Sequence, residues 1–154
     1  MVLIIYADIL INISPSMKLG LYMRVNSEIK RGDIVAICMQ EPYRSEGLKR
    51  NYLLKSNKCS GIAPLIKEVV GVPGDELDLQ DDLIMVNGKN YFYKTKYIDK
   101  TGSPLKVYPR GSYHNINGYW LLGTNAKNSW DSRYFGFVAP KDILYKILPL
   151  VVFG

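Results

Sequence analysis

Every apolar run in this chain is short, and each is rich in β-branched or aromatic residues. Runs of that kind fit half-buried pleated strands better than helices. Strands are expected at residues 20–26 (GLYMRVN), 33–39 (DIVAICM), 64–72 (PLIKEVVGV), 119–122, 133–138 and 143–148, each bounded by turn residues. The strongest local signal is Asn87-Gly88 between the runs 83–86 and 90–93, because that dipeptide supplies the two positive φ values of a two-residue hairpin turn. Residues 40–61 are polar, are broken by Pro42 and Gly47, and read as an inserted loop or short helix. With 154 residues and no long amphipathic helix, the expectation is one mainly β domain with coiled insertions.

Lys and Arg outnumber Asp and Glu by 20 to 14, a net charge of +6 that points to an anionic partner, either nucleic acid or an acidic lipid surface. The excess gathers at 49–58 (KRNYLLKSNK) and 89–100 (KNYFYKTKYIDK). A platform for single-stranded nucleic acid has this mixture of Lys and aromatic rings, and so does a strand pair with solvated lysines alternating against half-buried aromatics. A basic β domain that binds nucleic acid without catalysis is therefore one reading.

Metal chemistry has little to work with. The chain holds one histidine, His114, in a turn-like GSYHNING stretch, and two cysteines, Cys38 and Cys59, too few for a conventional zinc site. No cofactor is expected. A bond between the cysteines would close a loop worth on the order of 3 kcal/mol. Spacing alone leaves that bond and two reduced thiols equally open. Residues 1–13 (MVLIIYADILINI) are apolar apart from Asp8 and the polar Asn12, and fall short of the roughly 20 residues that cross a bilayer. They read as the trailing end of a membrane anchor or as a first strand.

Three places could carry chemistry. In PLIKEVVGV the alternation puts Lys67 on one face with Leu65, Val69 and Gly71. Such a lysine snorkels outward, or it is buried and becomes a base, because desolvation disfavours the ammonium. Ser14-Pro15-Ser16-Met17 is ordinary turn chemistry unless a base reaches one of the serines. Lys18 is near but sits in a polar context, so Lys67 is the better candidate. In Ser129-Trp130-Asp131-Ser132-Arg133, extended geometry would put Ser129, Asp131 and Arg133 on one face, with an Asp/Arg pair beside a hydroxyl that can orient an amine.

In their order, SPSM, RGDIVAI (31–37), KEVVGVPGD (67–75) and GTNAKNSWDSR (123–133) resemble the signal peptidase I clan of serine/lysine endopeptidases. SMKLGLY after Asn12, the two cysteines followed by APLIK, and SWDSRYFG look most like its conjugative-transfer, TraF-type branch. That branch matures the pilin subunit of a DNA-transfer apparatus, in some members with cyclisation. Carried over by position, the resemblance implies Ser16 as nucleophile and Lys67 as general base. It implies Ser14 with the Ser16 N–H as the oxyanion hole, Ser129 as the hydroxyl that orients Lys67, and Asp131 and Arg133 as a supporting pair. Asp131 is directly required in the TraF-type pattern, and Met17 packs beside the specificity pockets. Lys18 stands where the family usually has Pro, and Thr124 where the main signal peptidases have Asp.

The resemblance further implies a fold of joined antiparallel sheets: a peptidase domain over 14–154 with an insert at about 40–61, preceded by residues 1–13 as a remnant of an anchor or a segment resting on the bilayer. It implies a place at the inner membrane with the site on the periplasmic face, a bond between Cys38 and Cys59, an anionic membrane surface as partner, and a pilin precursor or other exported preprotein as substrate. A general type I signal peptidase is the alternative within the family. No nucleic acid is expected on this reading.

Overall fold

The computed structural model describes residues 2–6, by their backbone alone, and residues 8–154. Eleven strands, all paired antiparallel, form two sheets: β1 (Val2–Tyr6), β2 (Ile9–Asn12), β3 (Leu19–Val25), β4 (Ile34–Ile37), β5 (Leu65–Gly71), β6 (Leu77–Leu79), β7 (Ile84–Val86), β8 (Lys89–Tyr91), β9 (Gly111–Tyr113), β10 (Trp120–Leu122) and β11 (Ile143–Phe153). The larger sheet has the order β1-β2-β3-β11-β4-β5-β10, and the smaller the order β8-β7-β6-β9. Two short helices, α1 (Tyr43–Lys49) and α2 (Ser132–Phe135), and a 3-10 turn at Pro140–Asp142 complete the chain.

The mainly β expectation holds, and the hairpin forms where Asn87-Gly88 puts it, with φ of 49° and 82° at the two turn residues. The segment 1–13, as far as it lies in the described residues, contributes β1 and β2, and β2 pairs with β3 from Ile9↔Met23 to Asn12↔Gly20. The polar stretch 40–61 contains α1. Strands β6 and β9 are short, and the sequence reading passed over both; Asp78 and Ser112 at their centres break any apolar run.

One expected strand is replaced. Residues 133–138 do not run extended, because the Asp131 carboxylate caps a helical turn by accepting from the Arg133 N–H at 3.1 Å, and Gly136 ends that turn at φ 80°. Only the end of the segment is strand-like, with Val138 bridged to Tyr119. Ser129, Asp131 and Arg133 therefore meet through a capped turn and not along a strand face.

Strand β5 runs between the cores and serves all of them. Val69 joins Val35, Ile37, Leu53, Ile62 and Leu121 in one cluster, Val70 joins Leu77, Ile84 and Trp120 in a second, and Ile66 joins Leu10, Met17, Tyr22 and Ile147 in a third. Cys38 follows β4 and is bonded to Cys59, which closes the insert carrying α1 into a loop. Reduction of this bond, or a Cys38→Ser/Cys59→Ser variant, is expected to cost about 3 kcal/mol of stability through regained loop entropy. Hydrogen exchange should then quicken first within 40–61, while amides of β4, β5 and β10 keep their protection.

Candidate active site

The serine turn lies between β2 and β3 and is held from both sides. Asn12, the last residue of β2 and 1% exposed, accepts from the Ser14 N–H at 2.9 Å and donates its amide to the carbonyls of Ser14, Met17 and Lys18 at 3.0–3.2 Å. From the other side the Asn125 N–H donates to the Ser16 carbonyl and its side-chain amide donates to the Pro15 carbonyl, both at 3.0 Å. Within the turn the hydroxyls of Ser14 and Ser16 lie 3.1 Å apart. Met17 points into the core with Leu10, Tyr22, Ile66 and Ile147, and its sulfur receives the Thr124 hydroxyl at 3.6 Å.

Lys67 sits at the centre of β5, opposite Val35, and is 2% exposed. Its ammonium donates to the Ser129 hydroxyl at 2.8 Å. Burial pulls its pKa down from 10.5 to about 8; the nearby Asp131 carboxylate opposes this and the Arg133 guanidinium adds to it. At pH 7 such a group is neutral roughly one time in ten, against less than about one in a thousand for an ordinary lysine.

Gly123 is where these parts converge. It follows β10, and a Cβ on it would stand 1.8 Å from the Ser129 hydroxyl and 3.2 Å from the Ser16 Cβ. Only a hydrogen in that position lets the Lys67 partner and the serine turn approach each other. The Gly123 N–H donates to Asp131 Oδ2 at 3.1 Å, which fixes the glycine to the loop that carries Ser129.

Asp131 and Arg133 are both fully buried and form a two-pronged pair, Nε to Oδ1 and Nη2 to Oδ2, each at 2.8 Å. Arg133 has further acceptors in the carbonyls of Lys94 at 2.7 Å and Ser129 at 3.1 Å. The pair thus ties α2 to the segment after β8 and to Ser129. His114 lies away from all this, exposed and paired with Glu76. Among the described residues no cluster of three or more His, Cys, Asp or Glu side chains is placed to hold a metal ion.

Beside the serine turn runs a cleft of about 210 Å³ lined by Ile13, Ser14, Pro15, Tyr52, Leu54, Ala63, Pro64 and Leu65. Along it the edge of β5 is open among the described residues, because β10 pairs only with Glu68, Val69 and Gly71. An open strand edge next to a nucleophile-bearing turn can take an extended peptide by backbone pairing.

The family model for signal peptidase, peptidase S26, matches residues 2–150. The chain belongs to that family. It is a signal-peptide-cleaving peptidase by that membership. It is 28% identical over 147 residues to the conjugal transfer protein TraF of Agrobacterium fabrum, covering 93% of this chain and 82% of that one. It is 32% identical over 143 residues to a probable conjugal transfer protein TraF of Sinorhizobium fredii, covering 87% and 72%. Signal peptidase IB of Staphylococcus aureus is 30% identical over 134 residues, covering 77% and 68%. A crystal structure of a signal peptidase I from Enterococcus faecalis superposes with a TM-score of 0.46 at 20% identity, covering 80% of this chain and all of that one.

The sequence reading missed the holding roles of Asn12 and Asn125 and the cleft wall at Tyr52 and Leu54. Asn12 carried a readable signal, since Asn two residues before Ser14 is Asx-turn chemistry; Asn125 acts on a turn distant in sequence and carried none. Asp131→Asn leaves Arg133 as a buried cation without a counter-charge, so it is expected to lower unfolding free energy by about 3–5 kcal/mol. A urea titration checks this, with the more exposed Glu68→Gln as a control that stays within about 0.5 kcal/mol of the parent.

Proposed function

We propose that Ser16 and Lys67 act as nucleophile and general base of a membrane-associated serine endopeptidase that matures an exported preprotein, in this chain a conjugative pilin precursor. The observation that carries the reading is the buried, pKa-lowered Lys67, bonded to Ser129 and set across Gly123 from the Ser16 turn. The conjugal transfer TraF names of several relatives support a role in conjugation, and the pilin precursor is the substrate that the TraF-type resemblance implies.

In this mechanism the preprotein lies extended along the open edge of β5. Neutral Lys67 takes the Ser16 hydroxyl proton, and Ser16 Oγ attacks the scissile carbonyl. The Ser14 hydroxyl turns from Ser16 to the developing oxyanion and shares it with the Ser16 N–H, donors of a kind typically worth about 3 kcal/mol each. Collapse passes the Lys67 proton to the leaving amine and leaves an acyl-enzyme on Ser16. Water then releases an acid; an amine held in the same place would instead form a new peptide bond, and an amine from the substrate's own chain would give a ring one water lighter. Ser129 holds the Lys67 amine on line. Asp131 and Arg133 hold Ser129, and the negative charge of Asp131 sets how far the Lys67 pKa falls.

Residues at the end of β11, from Leu148 through Phe153, are exposed and mostly apolar, and register pairs Phe153 with the exposed Leu19 just after the serine turn. Together with the +6 net charge this supports docking on an anionic bilayer; a place at the inner membrane with the site on the periplasmic face is what the family resemblance implies. No helix among the described residues is long and apolar enough to cross a membrane.

Processing of a pilin precursor in phospholipid micelles should be lost in Ser16→Ala and in Lys67→Ala with the fold intact by circular dichroism; undiminished processing in either removes the dyad. Because the base must be neutral, kcat/KM should rise with pH and level off above about 8. A flat profile from pH 6 to 9 would count against Lys67 as the titrating group.

A further inference from the structure

Tyr52 belongs to the disulfide-closed insert, yet it lines the cleft beside Ser14 and Pro15. Its hydroxyl donates to Asp99 Oδ2 at 2.6 Å, and its ring packs on Trp130 with centroids 5.3 Å apart. Asp99 is well placed to act as a fixed acceptor. Its side chain is 8% exposed, and Oδ1 is occupied by the N–H groups of Thr101 and Ser103 and the Thr101 hydroxyl at 2.7–2.9 Å. Those bonds close the 97–105 loop upon itself and leave Oδ2 for Tyr52, with Arg50 Nη1 behind it at 3.5 Å. Arg50 is in turn bonded to the Pro104 carbonyl at 2.6 Å. The Tyr52 ring is therefore clamped at its tip by Asp99 and along its side by the tilted ring of Trp130, the neighbour of Ser129.

We propose that Tyr52 is a specificity-determining residue that sets the size of side chain the cleft accepts, and that Asp99, on a loop remote in sequence, is its positioning residue. The inference rests on the cleft being the substrate groove of the Ser16 site. The Tyr52 ring bounds one side of a cleft of about 210 Å³, and a clamped phenol makes that bound a hard one. An unclamped ring would swing and blur it. The part of the wall formed by Tyr52 and Leu54 is thereby assigned to the insert, and its stiffness to a contact outside the cleft.

The test compares the full-length parent with Tyr52→Ala, Tyr52→Phe and Asp99→Asn. The probe is a preprotein with an Ala-x-Ala cleavage site in phospholipid micelles, with each of the four residues on either side of the scissile bond changed in turn to Val, Leu or Phe. At one position, Tyr52→Ala is expected to improve kcat/KM for the larger residue relative to Ala by about tenfold or more. Tyr52→Phe and Asp99→Asn should shift preference at that same position, in the same direction and by less. Identical size profiles in parent and all three variants overturn the inference. Benzoylphenylalanine placed at position 52 in the Ser16→Ala protein gives a readout independent of turnover. A photo-crosslink to a single substrate residue supports the assignment, and bound substrate without a crosslink overturns it. Ser16→Ala that still processes the probe would sink the dyad instead, whatever the size profiles show.

Discussion

A lysine buried at the centre of a sheet is the constraint around which this fold is arranged. Lowering the Lys67 pKa from 10.5 to about 8 means that the protonated side chain destabilises the folded state by about 3 kcal/mol. The sign follows from proton counts: below pH 8 both states hold the proton and the full penalty applies, and it fades as pH rises toward the unfolded value. A penalty of that size is a large share of a typical domain's stability, so neighbours must offset it. Strand β5 does so by feeding three apolar clusters at once, and Ser129 does so by accepting the one side-chain hydrogen bond that Lys67 makes among the described residues.

The Asp131–Arg133 pair is best understood through the same constraint. As an isolated ion pair in the interior it would be a poor source of stability, since desolvation of both charges nearly cancels their attraction. Its value lies in geometry. The four hydrogen bonds donated by the Arg133 side chain, together with those Asp131 accepts from the Arg133 and Gly123 N–H groups, join three loops and fix Ser129 and Gly123 relative to β5. A neutral pair of equal volume could fill the space but could not direct bonds to the Lys94 and Ser129 carbonyls and to the Gly123 N–H together. The net field also matters, because Asp131 raises and Arg133 lowers the Lys67 pKa, so that burial is left to decide its direction.

Much of this was legible in the residues. Alternation in PLIKEVVGV puts Lys67 on an apolar face, and the turn chemistry of Asn87-Gly88 gives the hairpin its register. Among β3, β4 and β5, buried positions repeat every second residue only in β3, at Gly20 and Tyr22; β4 and β5 lie inside the larger sheet and are buried on both faces, so consecutive residues are covered there. What was not legible depended on contacts distant in sequence. Residues 133–138 have strand composition, and only the Asp131 cap, held by Arg133, turns 133–135 into the end of a short helix. Strands β6 and β9 are three residues each and gain their stability from pairing with one another, which local propensity does not report. The meeting of Ser16 with Ser129 requires a residue without a side chain at position 123, and a lone glycine in sequence says nothing of which two elements will press upon it.

The candidate site is thus built from two halves of different mechanical character. The half that bears Lys67, Ser129 and Gly123 is anchored in the sheet and in the most buried polar residues of the molecule, where side chains have little room to move. A catalytic group works when it is held within about 0.5 Å of its productive geometry, so stiffness is useful there. The other half, the insert between Cys38 and Cys59, lies on the surface and connects to the body through the disulfide, the packing of Leu53 and the Tyr52 clamp. Loops of this kind can change length and side chains at small cost to the core. On the proposed role of Tyr52, residues that decide what enters the cleft can vary without moving the lysine, because the Tyr52 hydroxyl is held by Asp99 and not by β5; only the ring contact with Trp130 links the insert to the loop that carries Ser129.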